Sequence, residues 1–123
     1  MDLSTIETRE RRVSLTHPAT GEPLGLHVTL RPTDHEEVEK VRRRNLNKRL
    51  ASRNSRITAE QAEAQAKDVL IAAVADWEWD EGASFNGEQL ECTEENVRKV
   101  LSVKPIRDQI DQELGDEAAF FQS

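Results

Sequence analysis

Tyrosine is absent from this chain of 123 residues, and cysteine and methionine occur once each. A lone Cys92 excludes an internal disulfide, and a reducing compartment is the simplest reading of such sparing cysteine use. Two Trp and three Phe are the whole aromatic supply, so few large side chains are available to any core or contact surface. No apolar run approaches the roughly 20 residues of a membrane helix. The N-terminus, Met1-Asp2-Leu3-Ser4-Thr5-Ile6-Glu7, lacks the basic start and apolar stretch of a secretory signal, and the expectation is a soluble cytosolic protein. Hydrophobic residues make up 36% and charged residues 33%, with mean hydropathy −0.74, so one small domain with a thin core is expected. A partner or self-association would help cover what that core cannot.

What the chain has in plenty is charge, unevenly placed. Residues 40–56 carry eight of the 17 basic residues and no acid, whereas residues 57–123 carry 16 acids against five bases. The net charge of −7 therefore conceals a dipole along the sequence, which invites a charged partner or a second copy.

Arg12-Val13-Ser14-Leu15 and Leu24-Gly25-Leu26-His27-Val28-Thr29-Leu30 alternate as half-buried strands do, on either side of a turn-rich His17–Pro23 segment. They predict a β-hairpin within residues 4–31, whose apolar face must lie on the helices that follow. Thr33-Asp34-His35-Glu36 reads as a capping box opening a first helix to about Arg53. Its apolar stripe, Val38, Val41, Leu46 and Leu50, is narrow and interrupted by Asn45 and Asn47, so most of this helix faces water or a partner. Thr58-Ala59-Glu60-Gln61 is a second capping box, and Ala62, Ala66, Val69, Leu70, Ala73, Val74 and Trp77 then recur at helical spacing, predicting a central core helix to Trp77. Asn86-Gly87 marks a tight turn within residues 80–92. Thr93 caps a third helix with Val97, Val100 and Leu101 inward, and Lys104-Pro105 opens a fourth with Ile106, Ile110 and Leu114 inward, stopping at Gly115. The expected fold is α+β, mainly α: one domain over residues 1–123, an N-terminal hairpin followed by about four helices in a body spanning 33–123.

Catalytic chemistry is poorly supported by the residues present. His17, His27 and His35 lie in a turn, a strand and a helix start, without the spacing that puts two imidazoles on one metal, so neither metal nor cofactor is expected. Cys92 precedes a helix N-terminus, which lowers a thiol pKa, but Glu91, Glu94 and Glu95 act in the opposite direction. Neither a phosphate loop nor a nucleophile elbow is present, and an enzyme is the least favoured class. The basic helix could neutralise phosphates, yet it carries no aromatic to stack on bases and the rest of the chain is acidic. Nucleic-acid association through residues 40–56 remains the alternative reading.

Trp77 and Trp79 are two apart and on one helix could not share a face. Trp77 continues the core stripe, while Trp79 falls near the helix end and is open to contact. A terminal Phe120-Phe121 pair is likewise an apolar patch unless it docks.

The succession Val74-Ala75-Asp76-Trp77-Glu78, Phe85-Asn86-Gly87-Glu88, Thr93-Glu94-Glu95-Asn96-Val97, Leu101 and a last helix ending near Phe120-Phe121 resembles the tail assembly chaperones of long-tailed (siphovirus-type) bacteriophages. The motif covers about residues 66–121, and the hairpin, size and charged middle look similar in outline. The basic run of residues 40–56 is not a family requirement. The resemblance implies a non-catalytic protein of the host cell cytoplasm that binds the long, helical tape measure protein and keeps it soluble while tail tube subunits assemble. It further implies homo-oligomers, contact with the tail tube protein, and a longer frameshifted form that begins to differ near Phe120-Phe121. Contact residues expected on this basis are Trp79, Phe85, Phe120 and Phe121 as apolar anchors, with Arg42, Arg43, Arg49 and Arg53 as a charged surface.

Overall fold

The computed structural model describes residues 9–51, 58–116 and 120. Along the chain run β1 (Arg11–Thr16), β2 (Pro23–Leu30), α1 (Glu36–Ala51), α2 (Ala59–Ala73), β3 (Val74–Trp79), α3 (Glu94–Leu101) and α4 (Lys104–Gly115). The class is α+β, mainly α, with the N-terminal hairpin and four helices in the expected order.

The main departure from the sequence pattern is a third strand. Helix α2 ends at Ala73, and Val74–Trp79 pairs antiparallel with β2 to make a sheet of order β1-β2-β3. Val28 faces Trp77 and Leu26 faces Trp79 across that ladder. Residues 70–77 fit the helical period and alternation begins only at Asp76, so the choice falls to β2, which offers an open edge and apolar cross-strand partners, a register shift between Thr29 and Leu30 letting Val74 and Trp77 both face inward. On a strand, residues two apart share a face. Trp77 and Trp79 therefore both turn inward, with ring centroids 5.9 Å apart in an edge-to-face pair.

The inner face of the sheet carries Val13, Leu15, Leu26, Val28, Leu30, Val74 and Trp77, and it packs on Val97, Val100 and Leu101 of α3 and Ile110 and Leu114 of α4. The outer face is polar: Arg12 of β1 reaches Glu78 of β3 at 2.9 Å. Helix α2 adds only its last residues to the core, Leu70, Ile71 and Ala73, while Ala62 and Ala66 are exposed. The expected central core helix is thus half an arm. With α1 it forms an antiparallel helical pair extending beyond the sheet, and among large apolar residues Leu46 and Leu50 remain 49% and 74% exposed.

Local signals set the boundaries. The Thr58 capping box forms as read, with the Gln61 N–H on Thr58 Oγ1 at 3.1 Å and the Thr58 N–H on Gln61 Oε1 at 3.0 Å. At α1 the start differs: the helix begins at Glu36, and His35 Nδ1 rather than Thr33 accepts from a first-turn donor, the Glu37 N–H at 3.1 Å. Asn86 and Gly87 both take positive φ, 51° and 84°, closing a primed turn in which Phe85 and Glu88 exchange backbone hydrogen bonds. Thr93 Oγ1 accepts from the Asn96 N–H at 3.2 Å, capping α3 as expected.

Candidate partner-binding surface

Of the aromatic residues expected as contacts, Phe120 is buried, and Trp79 and Phe85 are half-buried against the core. Phe120 is 3% exposed and belongs to the core; the Arg9 N–H donates to its carbonyl at 2.7 Å, and the Arg11 guanidinium lies 6.0 Å from its ring centroid. Arg11 is in turn held by Glu113 of α4 at 2.7 Å, so this aromatic seals the seam between β1 and α4. Trp79 is half-buried against the core, and the indole N–H groups of Trp77 and Trp79 both donate to the Leu90 carbonyl, at 2.8 and 2.9 Å. Two donors on one acceptor pin the 80–92 segment under the sheet. Phe85 also packs against the core, beneath its turn. Phe121 and Arg53 lie outside the described residues.

The basic residues, in contrast, are on the surface. Arg42, Arg43, Arg44, Lys48 and Arg49 are exposed along α1, and none makes an ion pair among the described residues. Among the described residues, Lys40 is the one cation of this helix that is ion-paired, with Glu36 and Glu37. The described acids thus leave the cationic face of α1 unneutralised. Arg49 donates to Gln65 Oε1 at 3.1 Å, tying α1 to α2 across an open groove of about 360 Å³.

That groove is built by helical periodicity. Arg42, Asn45, Leu46 and Arg49 come from α1 at spacings of three, one and three, and Ala62, Gln65, Ala66 and Val69 repeat the same spacing on α2. Sequence reading took Asn45 as an interruption and the alanines as core. The informative signal was the conjunction of a polar break in one stripe with small side chains, Ala62 and Ala66, in the stripe opposite it. The outcome is an open trough lined by Leu46, the alanines and Val69, with Asn45 among them and Arg42 and Arg49 at its sides.

No family model, curated protein or solved structure matches this chain. Reading the surface therefore rests on its own chemistry. Among the described residues there is no group of three or more His, Cys, Asp and Glu placed to hold a metal, and no helix long and apolar enough to cross a membrane.

Two further constellations have definite geometry. Ser14 Oγ lies 2.7 Å from His27 Nδ1, and His27 Nε2 lies 3.0 Å from Asp80 Oδ1. A carboxylate only accepts, so Nε2 carries a proton, and in the neutral imidazole Nδ1 then accepts from the serine hydroxyl. These are the residue types of a hydrolase triad. They sit on the outer face of the sheet, where Ser14 is exposed, and the groove and cleft described in this section are lined by other residues. The chain of bonds ties β1, β2 and the residue after β3 together. Cys92, half-buried, lines a cleft of about 340 Å³ with Arg31, Arg44, Asp68 and Arg98. Burial, and secondarily the Asp76 carboxylate, pushes its thiol above the ordinary value, with Arg31 opposing. At neutral pH it is a thiol, not a nucleophilic thiolate.

Proposed function

We propose that this chain is a non-catalytic tail assembly chaperone of a long-tailed bacteriophage, acting in the host cytoplasm to hold the helical tape measure protein in solution while tail tube subunits assemble. The observation that carries the reading is the α1–α2 arm, which presents Leu46 and Leu50 to solvent between arginines that make no ion pair among the described residues. Exposed leucines at one-turn spacing beside an alanine stripe offer a helix-in-groove contact, the mode by which an extended helical client is covered. A client long enough to take many copies needs only modest affinity from each. Self-association and contact with the tail tube protein belong to the same proposal.

The nucleic-acid alternative draws on one specific observation, the five unpaired cations of α1. Phosphate binding has no use for Leu46 and Leu50, and α1 offers no aromatic on which a base could stack. Co-expression with the tape measure protein encoded in the same genome tests the choice. Soluble client should rise with the intact chain and fall back when Leu46 and Leu50 become Glu. No gain in soluble client, alongside binding to generic DNA that weakens steeply with salt, would refute the chaperone reading in favour of the alternative.

A further inference from the structure

Covering the α1–α2 groove poses a chemical problem at Asn45. This residue is 7% exposed, lines the groove, and its amide makes no hydrogen bond with a described residue. Yet no fully buried side-chain nitrogen or oxygen lacks a partner among the described residues. With respect to the described residues, the amide is left to solvent at the mouth of the groove. A wholly apolar occupant would remove that water and leave both the donor and the acceptor unsatisfied.

The remaining walls restrict the occupant further. Ala62 and Ala66 let a backbone come close, and Leu46 and Leu50 form a ridge for a facing apolar stripe. A third helix laid along two antiparallel ones satisfies its own backbone, whereas a strand would find no sheet edge here to pair with. Arg42 and Arg49 line the groove, with Arg43 exposed on the same helix, and ask for carboxylates. The described helices of a second copy match poorly: its exposed leucines lie among arginines, the exposed alanines that Glu60 and Glu63 flank on α2 are too small to fill the groove, and the apolar residues of the acidic α3 and α4 are already in the core.

We propose that the groove takes one amphipathic helix of another protein, its apolar stripe bordered by Glu or Asp and broken once by an amide side chain opposite Asn45. This specifies the client segment and rests on the chaperone reading. The buried amide sets the register of the client helix, as a single core Asn does in a coiled coil.

Three labelled helical peptides sharing one leucine stripe provide the test, read by fluorescence anisotropy on the full chain. The first has Glu borders and one Asn in the stripe, the second replaces that Asn by Leu, and the third has Lys borders. The first should bind most tightly, the second about tenfold more weakly, in line with one stranded amide, and the third not at all. Asn45→Leu should reverse the order of the first two. Leu50→Asp, at a position too exposed to affect folding, should weaken the first by about tenfold or more. Equal binding of the first two peptides, retained binding of the third, or displacement of the first by a DNA duplex overturns the proposal. Segments tiled from the tape measure protein separate it from the chaperone reading. If they bind without regard to acidic borders or a polar break, the groove proposal falls and the chaperone survives. If the first peptide binds and no segment does, the groove stands and the chaperone reading falls.

Discussion

Replacing Phe120 by Ala should unfold this protein far more readily. Its ring is 3% exposed and spans the seam where β1 meets α4. A buried Phe reduced to Ala ordinarily costs about 3–5 kcal/mol. The lower end of that range allows for partial collapse of the void. Arg11 adds little to the sum: at 6.0 Å from the ring centroid it is at the outer limit of a cation–π contact, and Glu113 holds it in place regardless. A loss of about 3 kcal/mol in a domain of this size lowers Tm by roughly 12 °C. Thermal unfolding followed by circular dichroism, with urea titration as a second measure, checks it. A fall in Tm of less than about 3 °C, together with loss of client binding, would mean that Phe120 is a free anchor rather than a structural wedge, and the argument from burial would be wrong.

Gly25 and Gly87 make a matched pair of probes. Both take positive φ, 80° and 84°, but a Cβ on Gly25 would stand 2.6 Å from the Ala83 Cβ while one on Gly87 meets nothing. Gly87→Ala should cost about 1 kcal/mol, the conformational penalty alone, and Gly25→Ala at least about 2 kcal/mol more by urea unfolding, through the added clash; equal losses would refute the steric part. Trp79→Phe removes one of two donors to the Leu90 carbonyl and the edge-to-face partner of Trp77, so near-ultraviolet dichroism should lose most of its Trp signal at a cost of about 1 kcal/mol. An unchanged spectrum would mean that the rings are not in contact. Cys92, its pKa raised by burial and then by Asp76, should react with iodoacetamide at pH 7 more slowly than in the urea-unfolded chain, and faster in Asp76→Asn. Because the folded state holds the thiol proton more tightly, this group leaves stability intact below the ordinary thiol value and erodes it as pH rises through the raised one. Cys92→Ser should abolish that alkaline loss, and a Tm profile unchanged by the substitution would refute the assignment.

Local chemistry made much of the fold legible. The hairpin alternation, the Thr58 and Thr93 caps and the Asn86-Gly87 turn each depend on a few neighbouring residues, and each forms as the pattern implies. Strand β3 was hidden because Leu70, Val74 and Trp77 fit a helical stripe, and the term that decides against it is pairing with β2 more than forty residues earlier. No glycine, proline or turn separates Ala73 from Val74 to mark the change. The candidate surface was legible only on its charged side. Arginines advertise exposure by their own solvation, so the exposure of Arg42, Arg43 and Arg49 could be foreseen. Whether Phe120 docks or Leu50 does not depends on what three-dimensional packing leaves uncovered, and that information is not in either residue.

The direct junction of α2 and β3 also has a mechanical side. Arg31, the residue following β2, holds the end of α2 twice: its N–H donates to the Ala73 carbonyl at 2.6 Å, and its guanidinium donates to the Ala72 carbonyl at 2.8 Å. With no slack residue between helix and strand and a clamp across the joint, the arm is a lever welded to the middle of the sheet. Torque applied near Leu50 passes from α1 to α2, which Arg49 and Gln65 tie together, and then down α2 into Val74 and on to the indole pair, so the same tryptophans that steady the fold also serve as its strain gauge.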